Sequence, residues 1–270
     1  MRLRFGGVSA LHSRAFGTGP ALVLLHGWGM HSGLLAPLAR RLAARRCAIL
    51  VDLPGYGTSA WRRPPGASDA LGMLALSVAE AVPDNAAVLG WSLGGLVALE
   101  LARRSLCRME ALILVGGTPR FVTGEGWPCA IPRRELATLR ERLAADPMLC
   151  LEEFAVLAAR GDVRARAVLG ELRRHRHAPP PQALEAGLDI VEHTDLRSAL
   201  PCIAVRSLVV SGDRDRVAPP AAGRFLAAGL PHAQFELIPG AAHAPFVGRE
   251  AQLADVVERF LAQDAACAPA

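Results

Sequence analysis

Six short apolar runs recur along this chain, with helical patterns filling the spaces between most of them: Leu22–Leu25, Ala48–Val51, Ala87–Leu89, Leu112–Val115, Leu208–Val210 and Phe235–Ile238. Gly, Pro, Asp and His punctuate the stretches that follow. Runs of this length alternating with helices are the pattern of βα units, whose strands lie parallel because a helix carries the chain back before each new strand begins. The helical stretches fall near residues 34–45, 69–82, 93–104, 220–229 and 249–263. The rhythm breaks between Thr118 and Ser198, where the sequence turns helical and charged, with Pro128, Pro132, Pro147 and Pro179 to Pro181 as punctuation. The predicted fold is α/β: a mainly parallel sheet flanked by helices, with an inserted helical cap. Residues 1–117 and 199–270 form the core in this reading, and residues 118–198 form the cap.

Composition narrows the class further. With 270 residues, 51% of them apolar, the chain buries a sizeable core as one such domain. Early arginines in Met1–Val8 are followed by no sustained apolar stretch, and the longest apolar runs are strand-length, so neither a secretory signal nor a membrane anchor is expected. Asp264 to Ala270 reads as a frayed tail. Six cysteines (Cys47, Cys107, Cys129, Cys150, Cys202 and Cys267) form no close pairs, which suits reduced packing residues in a cytoplasmic protein. All thirty basic residues are arginine, a bias of composition rather than of chemistry. The net charge of +5 is unevenly spread: Arg160, Arg164, Arg166, Arg173, Arg174 and Arg176 share one segment with only Asp162 and Glu171 as acids. Such a segment can steer an acidic partner. It lacks interleaved aromatics and a recognisable module, which disfavours nucleic acid. His175-Arg176-His177 lacks the i, i+4 spacing of a helical metal pair, and Asp52 to Ser59 lacks the Gly-Lys-Ser/Thr ending of a phosphate loop, so no metal and no cofactor are expected.

Gly90-Trp91-Ser92-Leu93-Gly94 lies between an apolar run and a small-residue helical pattern. A Gly-x-Ser-x-Gly in that setting describes a nucleophile elbow, a sharp turn that exposes a serine hydroxyl. Serine is a poor nucleophile near neutral pH and needs a base oriented by a carboxylate. Both are found downstream on loops that leave strand ends: Asp213 and Asp215 after the run at 207–210, His243 after the run at 235–238. In an open parallel sheet these loops reach the same edge as the elbow. His243 is the base and Asp215 the preferred acid over Asp213, whose bland role is a turn-forming residue. His26-Gly27-Trp28-Gly29 follows the first run and can bend toward the same edge. The backbone N–H groups of Trp28 and Leu93 are the predicted oxyanion donors, each worth roughly 2.7–4 kcal/mol in acyl transfer.

With those residues in hand the chain resembles the α/β-hydrolase family over nearly its whole length. Leu24 to Gly29, Val51 to Gly57, Gly90 to Gly95, the Gly212–Pro219 loop and Ala241 to Phe246 occur in that family's order. Within it, the chain is similar to the methyl ester esterases that act on pimeloyl-[acyl-carrier protein] in biotin synthesis. The shared features are Trp28, Trp91, Gly126-Trp127-Pro128, Gly187 to Ile190 and Thr194 to Arg197. The resemblance implies a cytoplasmic monomer that hydrolyses a pimeloyl methyl ester borne by an acyl carrier protein. The acyl arm would enter between core and cap past Trp28, Phe154 and Ala158, and the carrier would dock near Arg160, Arg164 and Arg166. Glu152 and Glu153 depart from this pattern, standing just before Phe154 where a family member carries arginine. The rival expectations are a broad short-chain carboxylesterase or carbon–carbon bond hydrolase on the same fold, and a non-enzymatic relative that only binds a ligand.

Overall fold

The computed structural model describes residues 11–61, 69–176 and 178–263. Met1–Val8, His177, Cys267 and the tail Asp264–Ala270 lie outside the described residues. The strands are β1 (Ser13–Phe16), β2 (Ala21–Leu25), β3 (Cys47–Val51), β4 (Ala86–Trp91), β5 (Met109–Val115), β6 (Ser207–Gly212) and β7 (Ala233–Ile238). They form one sheet in the order β1-β3-β2-β4-β5-β6-β7. The six apolar runs became β2 to β7, all paired in parallel. β1 was not anticipated. It lies antiparallel on β3 at the sheet edge, where Ser13-Arg14-Ala15-Phe16 needs no continuous apolar run because its side chains stay exposed or half-buried.

Side chains alternate between the two faces with the period of the strand. Val23, Leu25, Val88, Leu112, Leu114 and Val209 pack with α2 (Ala70–Ala79), α3 (Leu93–Arg103) and α8 (Pro220–Gly229). Leu22, Leu24, Leu89, Ile113, Val115 and Val210 pack with α1 (Ala36–Leu42) and α9 (Glu250–Ala262). The helix expected over 34–45 is a 3-10 turn at Ser32–Leu35 followed by α1, with Pro37 in the first turn of the helix where a missing N–H costs nothing.

Between β5 and β6 run α4 (Arg133–Ala145), α5 (Pro147–Ala159), α6 (Ala165–Arg174) and α7 (Pro181–His193). Asp146 separates the first two and caps α5, accepting from the amides of Met148 at 2.9 Å and Leu149 at 3.0 Å, with Pro147 opening the helix. α5 touches both halves of the core: Cys150, Leu151 and Phe154 join the first cluster, while Ala155, Ala158 and Ala159 join the second. Among the described residues no helix is long and apolar enough to cross a membrane.

Candidate active site

β4 delivers Ser92 at its end, and α3 begins on the next residue. The turn is tight enough to exclude side chains, since a Cβ on Gly94 would stand 2.5 Å from the carbonyl oxygen of Leu25 on β2. Ser92 itself holds φ 56° and ψ −117° with its residue nearly buried. A non-glycine residue at positive φ is strained, and the surrounding structure must hold it there. The first turn of α3 leaves the Leu93 amide without a partner inside the helix.

His243 comes from the loop after β7 and Asp215 from the loop after β6. Nε2 of His243 lies 2.9 Å from Ser92 Oγ, and Nδ1 lies 2.8 Å from Asp215 Oδ2. Asp215 spends its other oxygen on two amides, Val217 at 2.8 Å and Ala218 at 2.9 Å, so its carboxylate cannot swing. Asp213 is exposed two residues earlier. The carboxylate acceptor fixes the His243 proton on Nδ1, which leaves Nε2 free to accept from the serine hydroxyl. One continuous buried chain of hydrogen bonds thus links Asp215, His243 and Ser92.

Trp91 braces this chain from below. Its indole Nε1 donates to the His243 carbonyl at 2.7 Å, and its ring meets Phe246 edge-on at 5.2 Å. On the other side, the His243 amide donates to the carbonyl of Ala158 on α5 at 3.1 Å. Sequence reading placed Ala158 along the substrate channel; the structure adds a backbone contact that no side-chain pattern reports.

The loop after β2 closes the site opposite the elbow. A methyl group on Gly27 would stand 3.1 Å from Ser92 Cβ, so the Trp28 backbone follows directly beside the serine. His26 holds the loop: Nε2 accepts from the Leu53 amide at 3.0 Å, which leaves the proton on Nδ1 to donate to the Gly27 carbonyl at 2.9 Å. The two bonds consume the ring and leave it no proton-transfer role. Asp52, behind it, accepts from the amides of Ser32 at 2.9 Å and Thr58 at 3.1 Å. Burial alone would raise its pKa, but bonds from Ser32 and Thr58 hold it below the ordinary carboxylate value.

The helices between β5 and β6 wall the site. The Trp28 ring meets Phe154 edge-on at 5.1 Å, and Phe154 lies 6.4 Å from the His243 ring. Trp28 Nε1 donates to the Leu184 carbonyl at 2.9 Å, and the Tyr56 hydroxyl donates to the Ala183 carbonyl at 3.2 Å, so two core loops are tied to α7. Burial pushes the Tyr56 phenol well above its usual range, which keeps it a neutral donor.

The basic segment is less free than its sequence suggests. Arg173 and Arg176 both bind Glu152, Arg174 binds Glu171, and Arg164 donates to the Gly248 carbonyl. Arg160 and Arg166 are exposed, with no carboxylate against them among the described residues. Glu152, which departs from the resemblance on sequence, is thus the local counter-charge to two arginines. No cluster of three or more His, Cys, Asp or Glu residues able to hold a metal occurs among the described residues.

The profile of the Alpha/beta hydrolase family matches residues 22–256, from β2 into α9. The chain belongs to the alpha/beta hydrolase family. Within the family, this hydrolase is 44% identical over 256 residues to a protein of Xanthomonas oryzae pv. oryzae named pimeloyl-[acyl-carrier protein] methyl ester esterase, covering 93% of this chain and 99% of the relative. A relative of the same name from Stenotrophomonas maltophilia is 40% identical, covering 93% and 96%. Among solved structures, an enol-lactonase of Burkholderia xenovorans superposes with TM-score 0.79 at 26% identity, covering 94% of this chain and 96% of that one. A hydrolase of Oleispira antarctica gives TM-score 0.84 at 20% identity, covering 94% and 95%, a likeness of fold alone.

Proposed function

We propose that this hydrolase is a serine carboxylesterase that removes the methyl ester from pimeloyl-[acyl-carrier protein], releasing methanol and the free acid. His243 takes the Ser92 proton through Nε2 as Ser92 Oγ attacks the ester carbonyl. The amides of Trp28 and Leu93 stabilise the resulting oxyanion, and His243 returns the proton to the departing methoxide. Water then attacks the acyl-serine by the same route in reverse. Asp215 holds the imidazole in the required tautomer and stabilises its cation. Residues 118–198 act as the lid in this reading, with Trp28, Phe154 and Ala158 along the acyl channel. Arg160 and Arg166 are the side chains available to an acidic carrier, and Arg164 contributes mainly to the loop at Gly248. The free cysteines among the described residues suit a cytoplasmic enzyme.

The observation that carries the proposal is the buried Ser92–His243–Asp215 chain in a protein that matches the Xanthomonas esterase along 99% of that relative. Complementation of a biotin-requiring strain lacking its methyl ester esterase tests it. Growth with this gene, and no growth with its Ser92→Ala variant, is the expected outcome. Failure to complement by a soluble protein that cleaves short p-nitrophenyl esters would redirect the assignment to a broad carboxylesterase.

A further inference from the structure

Residues of the α4–α7 segment hold the loop that carries His243. In the turn between α5 and α6, Asp162 is buried together with Arg249 at the end of that loop. Nη1 of Arg249 donates to Asp162 Oδ2 at 3.1 Å, and Nη2 donates to Oδ1 at 2.9 Å. The same carboxylate accepts from the Arg164 amide at 2.7 Å and from the Ala242 amide at 2.9 Å. Ala242 is the residue before His243. Further ties run alongside: Val163 N donates to the Gly240 carbonyl at 2.9 Å, Arg249 Nη2 donates to the same carbonyl at 3.0 Å, and Arg164 reaches the Gly248 carbonyl. With the Ala158 contact to the His243 amide, the stretch from 240 to 249 is fastened repeatedly to residues 158–164.

Two considerations argue that this pair does more than stabilise. A buried ion pair gains little net stability over apolar residues of similar volume, because removing both charges from water offsets their attraction. Asp162 is also saturated by four donors, none of which belongs to the reacting set, so it cannot take part in proton transfer itself. Its reach to the catalytic base is through the backbone of Ala242.

We propose that Asp162 and Arg249 are positioning residues for His243, making the placement of the imidazole depend on how α5 and α6 are seated. This rests on the Ser92–His243–Asp215 reading. His243 must satisfy Asp215 at Nδ1 and Ser92 at Nε2 together, and its backbone is held at three successive peptides: Asp162 accepts from the Ala242 N–H, Ala158 accepts from the His243 N–H, and Trp91 donates to the His243 carbonyl. A reacting group displaced by about 1 Å costs about 100-fold in rate.

The test uses the full chain and the double variant Asp162→Leu/Arg249→Met, which removes both charges together and so leaves neither buried alone. Asp162→Asn, which keeps one acceptor oxygen, serves as a second variant, and His243→Ala as the reference. Thermal unfolding, kcat and KM on p-nitrophenyl acetate, and the rate of fluorophosphonate labelling are measured. The double variant is expected to melt cooperatively while kcat and labelling fall about 100-fold, with KM within about twofold of the parent. Asp162→Asn is expected to lose about 10-fold in kcat, at the same KM. A folded double variant with parental kcat and labelling, beside an inactive His243→Ala, overturns the positioning role; if the double variant does not fold, undiminished kcat in Asp162→Asn overturns it. Full activity in His243→Ala overturns instead the catalytic reading beneath it.

Discussion

Ser92 holds a backbone conformation that costs on the order of 1–3 kcal/mol for a residue with a Cβ. Its neighbours supply the constraint, with Gly94 pressed onto β2 and the Ser92 amide donating to the Val115 carbonyl at 3.1 Å. Ser92→Ala is therefore expected to abolish ester hydrolysis while leaving the thermal midpoint unchanged, because alanine inherits the same strain. Ser92→Gly is expected to be equally inactive and more stable by about 1 kcal/mol, measured by urea unfolding. That Ser92, Asp215 and His243 meet was legible in the sequence because each follows an apolar run and chain order sends all three to one edge. The partners that hold His243 were not. Ala158 and the Ala242 amide act through the backbone, which every residue possesses. Asp162 stands among arginines in the sequence, and its partner in the fold is Arg249, far along the chain.

At the scale of elements, α7 owes its position to one small residue. A Cβ on Gly187 would lie 2.5 Å from Trp28 Cδ1 and 2.9 Å from the Tyr56 hydroxyl, the two side chains that bond to carbonyls on the same helix. Gly187→Val is expected to lower stability by about 1–3 kcal/mol through overpacking, read as a shift of the urea midpoint. It is also expected to lower activity, since Trp28 sits in the loop beside Ser92. The strands β2 to β6 were readable because buried parallel strands are apolar on both faces, and β7, half-buried at the far edge, because Phe235, Leu237 and Ile238 still mark a short apolar run. β1 escaped because an antiparallel edge strand is half exposed and short. The helix–helix contacts of α4 to α7 were unreadable for another reason: amphipathic spacing reports that a face is buried, not what buries it.

Charge acts on the whole molecule. Asp52, Asp162 and Glu100 are buried carboxyls; burial alone would raise each pKa, yet bonds from Ser32 and Thr58, from Arg249 and neighbouring amides, and from Arg103 and Arg104 respectively hold each below its ordinary value. A carboxyl depressed in the folded chain takes its proton more readily when unfolded. The stability it contributes is complete above the ordinary values of 3.8 for aspartate and 4.5 for glutamate and is lost as pH falls through the folded value. The urea midpoint is expected to be flat above about pH 5 and to fall steeply below about pH 4. On the outside, Arg160 and Arg166 are exposed, with no carboxylate against them among the described residues. If they meet an acidic carrier, KM for the carrier-borne ester is expected to rise with ionic strength between 10 and 200 mM salt, roughly, and turnover of an uncharged p-nitrophenyl ester is expected not to.

α5 has a consequence for how this molecule comes apart. A helix whose residues complete the packing on both faces of the sheet cannot detach as a hinged flap without opening two apolar interiors to water. Melting, protease resistance and inactivation should then follow one curve, and a chain shortened to the sheet and its flanking helices should not persist as a smaller folded protein. The α4–α7 segment is thereby coupled to the sheet: a change that loosens the one is felt as a loss of the other.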